Sequence, residues 1–392
     1  MVTGYNSSVI YDFNKRKAYQ ISELVGKSLE EGTFDKLPTR FLEKLKETGI
    51  LTSKCEGEEA FTNITSHVPD PPDLCIIELT SRCNFRCPHC YLGTKSSVRE
   101  LDSSVVRDLL VQIHEIGFKK IHLTGGEICL RRDLIEIIQL AREQGLEIEM
   151  ATNGSLISES LINAIKKYVS KVQITLYALS KERYSKFSGD PDALNKVVSA
   201  IDRLKKSCPG KLLVTFTLTP YNCDELSIFR QFAEERKLET TIGLTMPIGL
   251  ALEDEALRSE SFVSFVGLFI EELEKDNECK LIFPFRTRVC KLNQITILSD
   301  GNLTICPLTR WLLFGNIPRH NLKELWYNKV KPFFLSLCVD EMEICKDCEY
   351  KYLCGGECPA LWPVLEPIKR LRDPPCQAFF STRRFSFDNL KY

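Results

Sequence analysis

The chain has 392 residues, 43% hydrophobic and 27% charged, with 52 Lys plus Arg against 53 Asp plus Glu and a formal net charge of −1. Such a length and composition describe a globular chain of two or three domains and exclude the disordered and fibrous classes. The balanced charge argues against a general nucleic-acid or anionic-membrane surface, and no run of ~18 apolar residues reads as a transmembrane helix.

In chain order, the amino terminus, MVTGYNSSVIYDF, has no basic stretch followed by an apolar core, so no signal peptide is read and a cytoplasmic location is expected. Residues 1–66 form a first module. Ser8 to Asp12 and Lys17 to Ile21 are predicted strands around an Asn14-Lys15 turn. A helix is predicted from about Ser22 to Glu31, and another after Pro38 with Phe41, Leu42, Leu45 and Ile50 at helical spacing. A polar, Pro-rich linker follows at residues 67–73 (HVPDPPD).

Residues 74–255 alternate strand and helix. Predicted strands are Leu74–Leu79, Lys120–Leu123, Leu146–Ala151, Lys171–Leu176, Leu212–Leu218 and Thr240–Leu244. Helical periods lie between them at Ser103–Ile116, Arg132–Gln144, Ser158–Tyr168, Pro191–Lys206 and Asp224–Arg236, with Asp102 or Ser103, Ser158 and Asp224 as N-cap candidates. Six strands with crossover helices imply an α/β fold with a parallel sheet curved into a barrel or partial barrel, its chemistry at the carboxyl ends of the strands. A connecting helix is expected within residues 256–282. Residues 283–392 are cysteine-rich with little regular periodicity.

The chain has 17 cysteines. Cytosolic thiols stay reduced, and an odd count forbids complete pairing within one chain, so clustering needs another cause. Directly after the first barrel strand comes Cys83-x3-Cys87-x2-Cys90, within Thr80 to Tyr91. Three thiolates on one short loop can hold three irons of a 4Fe–4S cube and leave the fourth iron open, whereas ordinary electron-transfer clusters use four cysteines. A zinc knuckle with a distant fourth ligand is the competing reading. After the second strand stands Thr124-Gly125-Gly126-Glu127, where two glycines permit close backbone approach and a carboxylate can accept from an ammonium. Ile128 and Cys129 follow, and Cys129 reads as a buried structural thiol. Thr152-Asn153-Gly154 is a turn after the third strand. Gln173 and Thr175 share one face of the fourth strand, with Arg183 soon after.

The Cys-x3-Cys-x2-Cys spacing resembles the signature of the radical S-adenosylmethionine (SAM) superfamily. The resemblance implies a partial (β/α)6 TIM-type barrel in which Cys83, Cys87 and Cys90 ligate a 4Fe–4S cluster whose open iron binds SAM. It also implies an electron donor such as a flavodoxin or a ferredoxin. In this family the Gly-Gly-Glu element binds the SAM amino group, which gives Gly125, Gly126 and Glu127 that role. His89 would lie near the adenine, and Tyr91 is a further cofactor-binding candidate. Asn153, Thr175 and Arg183 are candidates for the remaining SAM contacts, although Tyr177 stands where many relatives carry Asp.

Further cysteines follow as Cys290-x10-Gly301-x4-Cys306, then Cys345-x2-Cys348-x5-Cys354-x3-Cys358, then Cys376. Zinc ribbons are one reading. The pattern is similar, cysteine for cysteine, to the SPASM extension of radical SAM peptide maturases. That resemblance implies two auxiliary 4Fe–4S clusters, one held by Cys290, Cys306 and Cys358, the other by Cys345, Cys348, Cys354 and Cys376. The first cluster has an open iron or a further ligand, Cys279 or Cys338. Residues 1–66 resemble the small winged-helix-like (PqqD-like) element that binds the leader of a ribosomally made precursor peptide by strand addition. A stabilising cap on the barrel is the alternative. These features imply a radical SAM enzyme that modifies a precursor peptide, forming a carbon–sulfur or carbon–carbon crosslink. Peptide epimerisation or oxidation, formylglycine formation and a structural zinc protein are the alternatives. No nucleic-acid or membrane partner is expected.

Overall fold

A computed structural model describes residues 2–3, 8–12, 17–21, 39–40, 42–43, 70–93, 99–246, 248–254, 294–337 and 360. The chain divides into two compact units, one of residues 1–68, 276–292 and 332–392, the other of 69–275 and 293–331.

In the first unit, β1 (Val2–Thr3), β2 (Ser8–Asp12) and β3 (Lys17–Ile21) form an antiparallel sheet in that order. The β2–β3 hairpin pairs Ser8 with Ile21 and Asp12 with Lys17, at the bounds expected from sequence. β1 is an addition. The expected helix at 22–31 lies outside the described residues, as do Cys279, Cys290, Cys338, Cys345, Cys348, Cys354, Cys358 and Cys376.

The second unit is built on parallel strands β4 (Leu74–Thr80), β5 (Lys120–Gly125), β6 (Glu147–Thr152), β7 (Lys171–Leu176), β8 (Leu212–Leu218) and β9 (Glu239–Leu244). Each is hydrogen-bonded to the next. The crossover helices are α1 (Ser103–Ile116), α2 (Leu134–Glu143), α3 (Glu159–Tyr168), α4 (Lys181–Ser188), α5 (Ala193–Ser207) and α6 (Leu226–Glu235). Val106, Leu109, Leu110, Ile113 and Ile116 of α1 are buried at three- and four-residue intervals, the stripe that docks an amphipathic helix on a sheet. Each fully buried Leu or Ile contributes roughly 1.5–3 kcal/mol, so docking outweighs helix propensity here. Gly117 ends α1 in the left-handed region, φ 102°, where its N–H reaches His114 O.

Strand alternation separates the two sheet faces. On β7, Val172, Ile174 and Leu176 are buried, whereas Lys171, Gln173 and Thr175 on the other face are half-buried. The same alternation on β5 places Ile121 and Leu123 in the core and Lys120, His122 and Thr124 on the polar face. The polar face is internally paired near its amino end, with Lys120 Nζ 3.1 Å from Glu147 and 3.0 Å from Glu149.

The six parallel strands expected are present, and three more extend the sheet. β10 (Gln294–Ile297) pairs parallel to β4, and β11 (Asn302–Thr304) and β12 (Gly315–Asn316) extend it antiparallel, in the order β12-β11-β10-β4-β5-β6-β7-β8-β9. The barrel is therefore open. Residues 294–331, which sequence alone groups with the cysteine-rich region, continue the barrel sheet because Ile295 and Ile297 are buried beside Cys75 and Ile77. A short helix, α7 (Leu322–Leu325), adds to this packing: Leu322 N–H donates to Gln112 of α1 at 2.7 Å. Ser158 caps α3 through Leu161 N–H, but Asp224 caps nothing; the N-cap of α6 is Glu225, and Asp224 faces Arg183 instead. Helix α4 was not anticipated, because its polar sequence has only Tyr184 and Phe187 as buried apolar anchors.

Candidate functional site at the strand carboxyl ends

The carboxyl ends of the parallel strands enclose a cavity of about 350 Å³. Cys83, Cys87 and Cys90 all line it. The loop that carries them is held from several directions. Arg86 N–H donates to Ser188 O at 2.9 Å, and Asn153 Nδ2 donates to Asn84 Oδ1 at 2.9 Å. Cys90 O accepts from Gly93 N–H at 3.2 Å and from Leu250 N–H at 3.0 Å. The second of these contacts requires Gly249: φ is 64°, and a Cβ there would stand 2.5 Å from Tyr91 O and 2.6 Å from Cys90 O. Nothing in the spacing of the cysteines points to the 248–250 segment, which only the return of β9 brings to this loop.

His89 is half-buried, with its ring centroid 5.1 Å from Tyr177 and 5.5 Å from Phe187. Burial lowers its pKa to about 4, so the imidazole is neutral near pH 7. Its Nδ1 finds no hydrogen-bond partner among the described residues. Tyr177 completes this aromatic cluster, its ring centroid 6.0 Å from that of Phe187.

Gly125, Gly126, Asn153, Thr175 and Tyr91 line the same cavity as the thiols. The two glycines serve the neighbouring strand. A Cβ on Gly125 would stand 2.3 Å from Thr80 O, and one on Gly126 would stand 2.1 Å from Arg82 O. Gly126 N–H donates to Thr80 O at 2.8 Å and Glu127 N–H to Arg82 O at 2.7 Å, which seats the second loop on the root of the cysteine loop.

Glu127 and Arg183 differ from expectation. Glu127 is fully buried and does not line the cavity. Its carboxylate accepts from Thr152 Oγ1 at 2.7 Å, Asn153 N–H at 2.7 Å and Cys129 N–H at 2.9 Å. The cause is local: a three-residue 3-10 turn at Ile128–Leu130 rolls the side chain inward as its cap. Cys129 is half-buried, its Sγ 3.5 Å from Thr152 Oγ1, and desolvation pushes its thiol up. Arg183 lies outside the cavity, 2.8 Å from Asp224 and 2.9 Å from Glu225, because α4 carries it to the adjacent crossover. It lines a separate pocket with Pro88, Lys186 and Tyr221.

Two residues that the sequence reading passed over form an ion pair outside the cavity lining. Glu78 of β4 is fully buried, and Arg310 Nη1 donates to both of its oxygens, at 2.7 and 2.9 Å. Burial pushes the Glu78 carboxyl up while the guanidinium opposes it. An acidic residue inside an otherwise apolar strand was the available signal.

The radical SAM superfamily matches residues 77–232, and SPASM, an iron–sulfur cluster-binding domain, matches residues 290–349. A probable GTP 3',8-cyclase of Sulfurisphaera tokodaii is 32% identical over 177 residues, which cover 44% of this chain and 56% of that relative. AdoMet-dependent heme synthase of Methanosarcina barkeri is 24% identical over 73% of this chain and 90% of its own length. PqqA peptide cyclase of Gluconobacter oxydans is 25% identical over 79% and 91%. The crystal structure of Streptococcus suis SuiB bound to precursor peptide SuiA superposes with a TM-score of 0.62 at 15% identity, covering 96% of this chain and all of that one, a likeness of fold. The chain carries a radical SAM domain followed by a SPASM domain. Such domains take a 4Fe–4S cluster with SAM and further iron–sulfur clusters, respectively. The described residues fit the first of these groups: three thiols on one loop share one cavity, beside an almost wholly buried imidazole nitrogen with no protein partner there.

Proposed function

We propose that this radical SAM and SPASM protein is a peptide maturase that crosslinks a core residue of a ribosomally made precursor. The observation that carries the reading is the convergence of Cys83, Cys87 and Cys90 on one cavity at the carboxyl ends of parallel strands. When bound, the cluster supplies the electron that cleaves SAM to a 5′-deoxyadenosyl radical, the species that removes a substrate hydrogen.

The remaining roles belong to the chain. Cys83, Cys87 and Cys90 hold the cluster. His89 offers a neutral imidazole to the adenine side of the cavity. Gly125 and Gly126 present backbone to SAM, while Asn153 and Thr175 offer amide and hydroxyl groups from the neighbouring strand ends. Glu127 acts behind them by holding the 152–154 turn. Tyr177 and Phe187 pack on the His89 ring and fix its orientation at that side of the cavity. Cys306, with Cys290 and Cys358, would hold one auxiliary cluster, and Cys345, Cys348, Cys354 and Cys376 the other. A crosslink formed by a substrate radical leaves one surplus electron, which such clusters can take up.

PqqA peptide cyclase among the relatives and the precursor-bound SuiB structure support a peptide substrate. The β1–β3 sheet at the amino terminus supports leader capture by strand addition. A second reading, a tetrapyrrole substrate, draws on the coverage of the heme synthase relative. The domain division proposed is 1–66 for leader binding, 67–73 as linker, 74–255 for the radical core, 256–282 as connection and 283–392 for the auxiliary clusters.

Deleting residues 1–66 tests the peptide reading. SAM cleavage without substrate should persist, while precursor-leader affinity, read by fluorescence anisotropy, should fall sharply. Unchanged leader affinity would refute leader capture, and loss of the clusters would make the module a cap.

A further inference from the structure

Arg310 and Glu78 are 232 residues apart in sequence and meet in one compact unit. Glu78 is fully buried and accepts from Arg310 Nη1 through both carboxylate oxygens, at 2.7 and 2.9 Å. The segment that brings Arg310 is itself rigid. Thr309 N–H reaches Cys306 O at 3.0 Å, Cys306 N–H donates to Thr309 Oγ1 at 3.1 Å, and the Thr304 and Thr309 hydroxyls are 2.8 Å apart. Leu308, at the tip of this turn, lines the cavity that contains the three thiols.

We propose that Arg310 is a positioning residue that clasps the 306–310 turn to Glu78 and so seats Leu308 as a wall of the SAM cavity. The clasp makes the turn that carries Cys306 part of the radical site. It anchors the turn by a charge-assisted hydrogen bond to a carboxylate that has no solvent to fall back on.

The inference rests on the SAM-binding reading, and its test separates the two. Full-length protein, reconstituted anaerobically, is titrated with SAM by equilibrium binding, and the electron paramagnetic resonance spectrum of the reduced cluster is recorded with and without SAM. Failure of the parent chain to bind SAM would remove the SAM-site reading itself. With the parent binding, Arg310→Met should weaken SAM affinity about tenfold at unchanged iron content, the scale of one lost charge-assisted hydrogen bond. It should also alter the SAM-induced spectral change. Arg310→Lys should restore most of the affinity. Adding Glu78→Gln to Arg310→Met should cost little more, because the two groups act as one unit. Leu308→Gly, which leaves the ion pair in place, should weaken SAM binding comparably and stands in if Arg310→Met fails to fold. Losses that multiply in the double variant, or unchanged affinity in Arg310→Met or Leu308→Gly, would overturn the clasp.

Discussion

Two adjacent loops at the barrel mouth solve opposite problems. The loop after β4 presents side chains to the cavity, namely Cys83, Cys87 and Cys90, and is braced by its backbone. The loop after β5 presents backbone, through Gly125 and Gly126, and turns the Glu127 carboxylate into the protein. Both loops carry motif residues of the kind that bind cofactors. Residue type alone does not say which of them faces the ligand and which holds the frame. A buried carboxylate with three donors is a structural node whatever its chemistry could do when exposed.

The largest effect that sharpens this comparison comes from the loop that presents thiols. A Cys83→Ala, Cys87→Ala, Cys90→Ala triple variant should lose SAM cleavage altogether while the fold persists. Iron should fall by about four atoms from the total of about twelve that three cubanes require. Deoxyadenosine formation at the parent rate would break the assignment of this loop.

Glu127→Ala addresses the frame. Three buried donors would lose their acceptor, so urea unfolding of the cluster-free chain should report destabilisation on the order of 3–5 kcal/mol. Glu127→Gln should lose less, since its amide oxygen still accepts. If both variants were as stable as the parent and only SAM affinity suffered, Glu127 would belong with the cysteines as a ligand-facing group.

A smaller effect lies further along the β5 loop. Arg131, 5% exposed, donates to Leu79 O at 2.9 Å and Leu101 O at 2.7 Å, and is paired with Asp133. Hydrogen bonds from Arg131 hold the Asp133 carboxyl down at about 2. A carboxyl depressed by folding stabilises the native state at pH values above its unfolded pKa, and that stabilisation is lost as pH falls toward the folded value. Asp133→Asn should therefore cost about 2 kcal/mol at pH 7, and the difference from the parent should shrink between about pH 4 and pH 2. A difference that stays constant over that window would mean that the pair does not tie this loop to the end of β4.

Much of the barrel was legible from periodicity. β7 and β8 have the bounds expected, β4, β5 and β9 differ by one or two residues at one end, and β6 is shifted by one residue at both. Alternation of Val172, Ile174 and Leu176 with Lys171, Gln173 and Thr175 is a local signal that any half-buried strand writes into its sequence. Helix α4 escaped because its short, charged stretch offers no apolar stripe to read, only Tyr184 and Phe187. β10 escaped because four residues, Gln-Ile-Thr-Ile, gain their meaning only from Leu74 to Ile77 beside them.

The amino-acid sequence by itself determined that three thiols would share one loop, since Cys83 to Cys90 span a single short connection after a strand. It likewise determined the order of strands and helices, which local hydrophobic period and turn chemistry encode. Only the tertiary structure decided what each remaining polar group would face. Glu127 turned inward to Thr152 and Asn153, and Arg183 was taken by Asp224 and Glu225. Leu250 was brought to Cys90, and Arg310 crossed 232 residues to reach Glu78. A buried charge or donor must find its complement wherever the folded chain supplies one, and segments distant in sequence leave no periodic trace of meeting.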